Sequence, residues 1–327
     1  MTIENEKIDI KENNIIKIDE NILKILLKDN TSGVNIIWAS DNYVDKGIDY
    51  NFHSQIQIRQ VTGNNGEMIK PRIKKTIEER KERIKKKAEV FTPAWVCNIQ
   101  NNMVDDKWFG YNNVFNITIG KKWIPKKEKI VFENSKSWKE YVTSKRLEIS
   151  CGEAPYLVSR YDAVTGKIIK IDDRIGLLDR KLRIIKEANL SDNEWLYWTI
   201  KAYQSVYGYD WQGDNILLAR ENLLYTFIDY YMERFKEPPK IDLQKEISEI
   251  ISWNIWQMDG LKGVIPKSCQ KPSNKQLSLF EDTLSVLECP ACSNNKRKGH
   301  IGKKCLIKTW ETNKNGSYKK PRIFINM

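Results

Sequence analysis

The chain has 327 residues, with 55 Lys and Arg against 43 Asp and Glu and a formal net charge of +12. This length accommodates one large α/β domain with appendages or two modest domains. No apolar run approaches the roughly 20 residues that a membrane-spanning helix needs, and the polar start lacks the apolar core of a signal peptide. Because the six cysteines are few and unevenly spaced, we expect a reduced, cytoplasmic protein without a disulfide framework.

Positive charge is concentrated between residues 70 and 87, in a segment that also predicts a charged helix from Thr76 to Lys87. Cations at this density suit a polyanion, because each neutralised phosphate releases counterions. We therefore expect the helix to contact the DNA backbone through Arg83, Lys85, Lys86 and Lys87. The alternatives are a solvated helix face and a composition that reflects only the base content of the genome.

The N-terminal third contains few strong signals. Residues 1–34 are polar apart from an amphipathic patch at 22–27, and they predict a loosely attached arm. Thr92 and Pro93 are typical of a helix start. The helix that follows is expected to pack through the apolar residues Val96, Ile99, Met103 and Val104.

Later segments predict alternating strands and helices. Apolar residues before Cys151 indicate a buried strand that breaks into a turn. Two long helices are predicted at 194–207 and 214–235, since their apolar residues recur at helical spacing. A third helix at 243–251 leads into a strand at 253–256. This order favours an α/β fold.

Four segments in a fixed order carry a resemblance to a known family. They are Ala88–Pro93, Glu148–Leu157, Tyr207–Asp210 and Asn254–Asp259. Together they resemble the cofactor half of S-adenosylmethionine-dependent DNA adenine methyltransferases of restriction-modification systems. The resemblance implies a doubly wound, Rossmann-like sheet that holds the cofactor along the carboxyl ends of its strands.

The resemblance also implies roles for individual residues. Asp210 would accept hydrogen bonds from the ribose hydroxyls, and Asp259 would accept one from the exocyclic amine of the cofactor adenine. The remaining residues would surround the methionine end of the cofactor: Phe91, Thr92, Pro93, Glu148, Cys151, Gly152 and Glu153.

The chain departs from the family pattern at three points. Glu148 stands where the family has Asp, and Ala154 stands where it has a second glycine. An alanine fits there if its φ angle is negative. The family's Asn-Pro-Pro-Tyr or Asp-Pro-Pro-Tyr, which holds the flipped target base, is absent, and Cys289-Pro290-Ala291-Cys292 occupies the expected distance. Methyl transfer is therefore expected to need an atypical loop or a companion polypeptide.

Near the C-terminus, four soft or borderline donors fall within a short polar segment. Cys289, Cys292, His300 and Cys305 form a C-x2-C-x7-H-x4-C pattern. Such a set can bind tetrahedral zinc. The alternative is that Cys305 begins an ordinary strand. Upstream, residues 276–280 (Gln-Leu-Ser-Leu-Phe) resemble the peptide by which bacterial proteins bind the replication sliding clamp, although a loop pinned by its Leu and Phe has the same pattern.

These observations divide the chain into three predicted parts. Residues 1–86 form a basic, helical N-terminal extension, residues 87–267 the cofactor-binding domain, and residues 268–327 a linker and a small Cys/His module. The predicted function is a DNA adenine methyltransferase, with DNA and a methyltransferase, specificity or restriction subunit as partners. The alternatives are a non-catalytic subunit with the same fold and a basic nucleic-acid-binding protein.

Overall fold

A computed structural model describes residues 11–87, 92–133, 136–269, 271–272, 286–287, 289–294, 296 and 298–324. The described helices are α1 (Glu12–Ile18), α2 (Glu20–Leu27), α3 (Ile58–Val61), α4 (Ile77–Lys87), α5 (Ala94–Phe109), α6 (Trp138–Thr143), α7 (Leu177–Glu187), α8 (Asp192–Gln204), α9 (Gly213–Phe235), α10 (Ile241–Asn254) and α11 (Pro290–Ser293). The described strands are β1 (Asn116–Ile119), β2 (Lys122–Pro125), β3 (Arg146–Ile149), β4 (Val206–Asp210), β5 (Ile255–Gln257), β6 (Lys271–Pro272), β7 (Val286–Leu287), β8 (Leu306–Ile307) and β9 (Arg322–Ile323).

The central sheet consists of β3, β4 and β5, which are parallel and pair in chain order. Leu147 lies opposite Tyr207, and Tyr209 lies opposite Trp256. Helices connect the strands, so the predicted α/β class is confirmed. A doubly wound sheet is defined by a reversal of strand order, and the strands of the described ranges contain no such reversal.

The helix α9 fills the centre of the core. The prediction that this segment packs through its apolar residues is confirmed, since Leu217, Leu224 and Phe227 are fully buried. Its sequence also carries buried Arg220 and Glu221, so it is far from uniformly apolar. Within the described ranges, no helix combines the length and the apolarity that crossing a membrane requires.

The N-terminal helices belong to this core. Ile15 in α1 and Ile22 and Leu23 in α2 are fully buried in the same hydrophobic cluster as α9. Arg220 of α9 donates to the carbonyl of Lys28 at 2.8 Å. The expectation of a loosely attached arm is therefore wrong for the described residues, because the amphipathic patch is paired with an apolar face of the body.

One face of the sheet is covered by the C-terminal segment. Tyr207 and Trp256 form a buried cluster there with Cys305, and Phe324 packs against them. The cover does not extend to β3, whose Leu147 and Ile149 are 46% and 66% exposed. The strand before Cys151 is therefore present as predicted, but the expectation that it is buried is wrong. In the described part of the chain, β3 is an edge strand, with β4 as its one partner.

The helix α5 buries a polar face. Asn98, Asn101 and Asp105 are buried, whereas Met103 and Val104 are 67% and 42% exposed. The expected apolar packing through Met103 and Val104 is therefore wrong. The reason is a buried guanidinium: Arg180 of α7 donates to Asp105 at 2.6 Å and to Asn98 at 3.0 Å, and it needs polar partners on the facing helix.

Two predicted boundaries also shift. The helix expected at 194–207 is α8, which ends at Gln204, and β4 already begins at Val206. The strand expected at 253–256 begins at Ile255, because α10 continues to Asn254. The side chain of Asn254 donates to the carbonyls of Tyr203 and Val206 at 2.9 Å, which ties the end of α10 to the start of β4.

Candidate functional site

A cavity of about 950 Å³ opens at the carboxyl ends of β3 and β4. Its volume lies within the range of about 300–1,000 Å³ that is typical of small-molecule sites. Its walls come from the loops after β3 and β4, from α5, and from the N-terminal segment. The lining residues include Asp41, Phe52, Thr92, Gln100, Asn101, Glu148, Cys151, Gly152, Tyr156, Asp210, Trp211, Gln212, Asn215 and Lys267.

The loop after β3 is a tight turn with left-handed backbone at alternate residues. Ser150, Gly152 and Ala154 have φ angles of 49°, 54° and 61°. The condition that Ala154 has a negative φ is therefore not met. This conformation costs an alanine about 1–2 kcal/mol relative to ordinary backbone. Neighbouring hydrogen bonds hold the turn, among them the one from Asn222 Nδ2 to the carbonyl of Glu153 at 3.0 Å.

Asp210 joins the turns that follow β3 and β4. Its Oδ2 accepts from the backbone N–H of Gly152 at 3.0 Å, and its Oδ1 accepts from the N–H of Gln212 at 2.9 Å and from Asn215 Nδ2 at 3.3 Å. Asp210 therefore presents a hydrogen-bonded carboxylate to the cavity that it lines.

Glu148 provides a second carboxyl group at the cavity. It accepts hydrogen bonds from the backbone N–H groups of Tyr156 and Leu157 at 3.3 and 3.1 Å. Burial raises the pKa of Glu148 well above its usual range, and the nearby charge of Asp210 raises it further, although the two N–H donors act in the opposite direction. A cationic ligand group beside it would favour the ionised form.

Five of the predicted cofactor-binding residues line this one cavity, namely Thr92, Glu148, Cys151, Gly152 and Asp210. Of the other four, the described residues Pro93, Glu153 and Asp259 do not line the cavity. Phe91 lies outside the described residues, and Pro93 precedes the first residue of α5. Glu153 is buried and accepts from the Tyr161 hydroxyl at 2.6 Å. Asp259 accepts from the N–H groups of the turn that follows it.

Sequence reasoning missed several lining residues. Trp211 and Gln212 directly follow Asp210 and Asn215 lies in the next helix, α9, so their proximity to the motif was a usable signal. Phe52 and Asp41 come from the N-terminal segment, and no local pattern marked them. Phe52 contacts the Trp211 ring edge-on, at 6.1 Å between ring centroids, so the cavity has an aromatic wall next to Asp210.

The predicted DNA-binding residues divide into two groups. Lys85 is exposed on α4, as expected for a phosphate contact. Arg83 instead points inward, with its Nη2 at 2.7 Å from the fully buried carboxylate of Asp214. Its guanidinium is therefore unavailable to DNA. The side chains of Lys86 and Lys87 lie outside the described residues, as do residues 276–280 of the proposed clamp-binding peptide.

A second candidate site is a cluster of three cysteines and one histidine. The ligand atoms of Cys269, Cys289, Cys292 and His300 all lie within 4.8 Å of one another. His300 Nδ1 is 3.7 Å from Cys289 Sγ and 3.4 Å from Cys292 Sγ. Tetrahedral zinc, with bonds of about 2.3 Å to sulfur and 2.0–2.1 Å to nitrogen, separates such atoms by roughly 3.5 Å. The cluster can therefore hold a metal such as zinc.

One of the four ligands predicted from the sequence, Cys305, lies outside this cluster. Cys305 is fully buried beneath the sheet, and its Sγ lies 3.5 Å from the carbonyl oxygen of Gln257. Cys269 takes its place in the cluster. Electrostatics favour a thiolate at one ligand, because hydrogen bonding, mainly from the backbone N–H of Ile301, lowers the pKa of Cys289 to about 6. The thiolate is the form that binds metal.

The chain matches no protein-family model and no curated protein or solved structure. The resemblance to DNA adenine methyltransferases therefore rests on the four sequence segments, which contribute five predicted cofactor-binding residues to the cavity lining.

Replacement of Cys269 by Ser is expected to abolish zinc binding, because it removes one of four ligands of a tetrahedral site. Replacement of Cys305 by Ala is expected to leave one zinc per chain, since Cys305 lies outside the cluster. Native mass spectrometry of the two variants, purified with added zinc, measures the metal content directly. Zinc retained by the Cys269 variant and lost by the Cys305 variant would mean that Cys305, as predicted from the sequence, is the fourth ligand.

Proposed function

We propose that the chain binds S-adenosylmethionine in the cavity at the ends of β3 and β4 and forms the cofactor-binding part of a DNA adenine methyltransferase. One observation carries this proposal. Asp210 ends β4 inside the cavity, within hydrogen-bonding distance of the Gly152 turn that ends β3. A carboxylate at the end of the second strand, beside a glycine turn at the end of the first, is suited to a nucleoside ligand.

The cavity offers complementary groups for each part of this cofactor. The carboxylate of Asp210, which lines the cavity, suits the ribose hydroxyls. The ring of Trp211 provides apolar surface for the adenine. The carboxyl group of Glu148 suits a cationic centre of the cofactor, since an ammonium or sulfonium group would offset the cost of its buried charge.

Strand order supports a role for a companion polypeptide. The strands β3, β4 and β5 follow one another in a single direction, as they would in one half of a doubly wound sheet. The chain also lacks the Asn-Pro-Pro-Tyr segment that holds a flipped adenine. On this proposal, a second polypeptide supplies the remaining strands and the base-binding loop.

DNA is the proposed substrate because a basic helix lies beside the cavity. Arg83 fixes α4 to Asp214 at the start of α9, and its Nη2 is 3.5 Å from Gln212, which lines the cavity. The exposed lysines of α4 are therefore held next to the cofactor site. Their charge would attract the phosphate backbone near the place where a target base must enter.

Replacing Asp210 with Ala is expected to weaken S-adenosylmethionine binding by about 1.5–3 kcal/mol, the usual value of hydrogen bonds to a charged group. Isothermal titration calorimetry measures this change. The matched control is Asp172→Ala, which removes a carboxylate that is 83% exposed and remote from the cavity lining. Equal affinity in wild type and a folded Asp210 variant would exclude Asp210 from the site.

The purified chain alone is expected to bind S-adenosylmethionine but to transfer no methyl group to duplex DNA, because no described segment supplies an adenine-binding loop. Transfer of a labelled methyl group to DNA measures this activity. Co-expression with the companion polypeptide is expected to restore it. Robust transfer by the isolated chain would contradict the need for a partner and would place the catalytic loop within this chain.

A further inference from the structure

The metal cluster and the cavity are joined by three consecutive residues. Lys267 lines the cavity, and Cys269, two positions later, is one of the four candidate metal ligands. Both residues lie in the short segment that follows β5. The position of one therefore constrains the position of the other, since two residues span at most about 7 Å.

Lys267 closes the aromatic side of the cavity. Its ammonium lies over the ring of Phe52, at 4.0 Å from the ring centroid, which is favourable cation–π geometry. Phe52 in turn contacts Trp211. The exposed ammonium retains N–H donors, so it places a positive charge at the rim of a cavity that also contains the carboxyl groups of Asp210 and Asp41.

The backbone at Lys267 is in an unfavourable conformation. Its φ angle is 55°, in the left-handed region that lysine rarely adopts, and such a conformation persists only where the surroundings impose it. Two hydrogen bonds to Lys303 hold the segment around Lys267 on one side. The N–H of Ile265 donates to the carbonyl of Lys303 at 2.9 Å, and the N–H of Lys303 donates to Ser268 Oγ at 3.0 Å. A metal bound through Cys269 would hold it on the other.

We propose that metal binding at the Cys269, Cys289, Cys292 and His300 cluster controls ligand binding in the cavity by fixing Lys267 over Phe52. Lys267 supplies the charge that binds an anionic group of the ligand. This inference rests on the proposed function, in which that group is the carboxylate of S-adenosylmethionine. Cys269 is then a positioning residue that acts through the metal.

The test compares the full chain loaded with zinc and the same chain stripped with a zinc chelator. Calorimetric titration with S-adenosylmethionine is expected to show at least about tenfold weaker binding to the stripped chain, and re-addition of zinc is expected to restore the affinity. Equal affinity of the two forms would overturn the proposal. Failure of the zinc-loaded wild type to bind the cofactor would instead overturn the proposed function.

Because stripping can unfold the C-terminal segment, variants of the zinc-loaded chain provide an independent measurement. Lys267→Ala is expected to weaken S-adenosylmethionine binding at least about tenfold with zinc content unchanged, and Lys267→Arg is expected to restore most of it. The matched control is Lys304→Ala, an exposed lysine outside the cavity lining. Wild-type affinity in Lys267→Ala, or an affinity loss only for DNA, would overturn the carboxylate-binding role.

Discussion

Replacing Arg83 with Ala is expected to lower the free energy of unfolding by about 3–5 kcal/mol, the usual cost of removing one partner of a buried ion pair. The Arg83 side chain is 6% exposed, and its partner Asp214 is fully buried. Without the guanidinium, the carboxylate of Asp214 would keep a hydrogen bond from the Tyr43 hydroxyl at 2.8 Å and the attraction of the Lys75 charge, but it would lose its ion-pair partner. Chemical denaturation of the variant measures the loss.

Lys85→Ala provides the matched control on the same helix. Because Lys85 is exposed, its removal is expected to leave stability nearly unchanged. It is expected to reduce the slope of log affinity for DNA against log salt by about 0.9 for one lost phosphate contact. A stable Arg83 variant with a reduced salt slope would mean that Arg83 binds DNA and that the ion pair is not formed in solution.

A second large effect is expected at the buried carboxyl groups of Glu12 and Glu221. Burial, with a smaller contribution from the charge of Glu67, raises the pKa of Glu12 from 4.5 to about 8. Burial and the charge of Glu12 also raise the pKa of Glu221 well above its usual range. Folding therefore favours the protonated forms. Their contribution to stability is fully present below pH 4.5 and is lost as the pH rises toward the raised values.

Replacing Glu221 with Gln should remove much of this pH dependence. The amide has a similar shape and carries no charge, so the variant is expected to gain thermal stability over wild type at about pH 8 and little at about pH 5. Melting temperatures across this interval measure the difference. The exposed Glu246→Gln serves as control. The same stability difference at both pH values would show that these carboxyl groups do not titrate on unfolding.

The parts of the fold that could be predicted are those whose signals are local. The strand before Cys151, the acidic end of β4 and the long helix α9 each follow from a contiguous pattern of apolar and polar residues. Five of the predicted cofactor-binding residues accordingly line one cavity. The contributions of Phe52 and Asp41 could not be predicted, because they depend on how the N-terminal segment packs against the turn after β4.

Contacts between residues far apart in the sequence explain why two predictions, the packing face of α5 and the fourth metal ligand, were wrong. The buried face of α5 is set by Arg180, which lies 75 residues from its partner Asp105, so the apolar residues of α5 gave a misleading pattern. The metal ligands show the same limit. Sequence spacing near the C-terminus favoured Cys305 as a ligand, whereas the folded chain brings Cys269 to the cluster from the start of the predicted linker.

The uncovered edge of β3 has a practical consequence for the purified chain. Natural edge strands are usually protected by lysine, proline, a bulge or a covering segment. Within β3, Leu147 and Ile149 are instead exposed, and the covering C-terminal segment stops at β4. The backbone of such an edge strand can pair with any extended segment, including one from a second copy of the chain. We therefore expect the chain to self-associate as its concentration rises, and to remain soluble longest when a strand already occupies this edge.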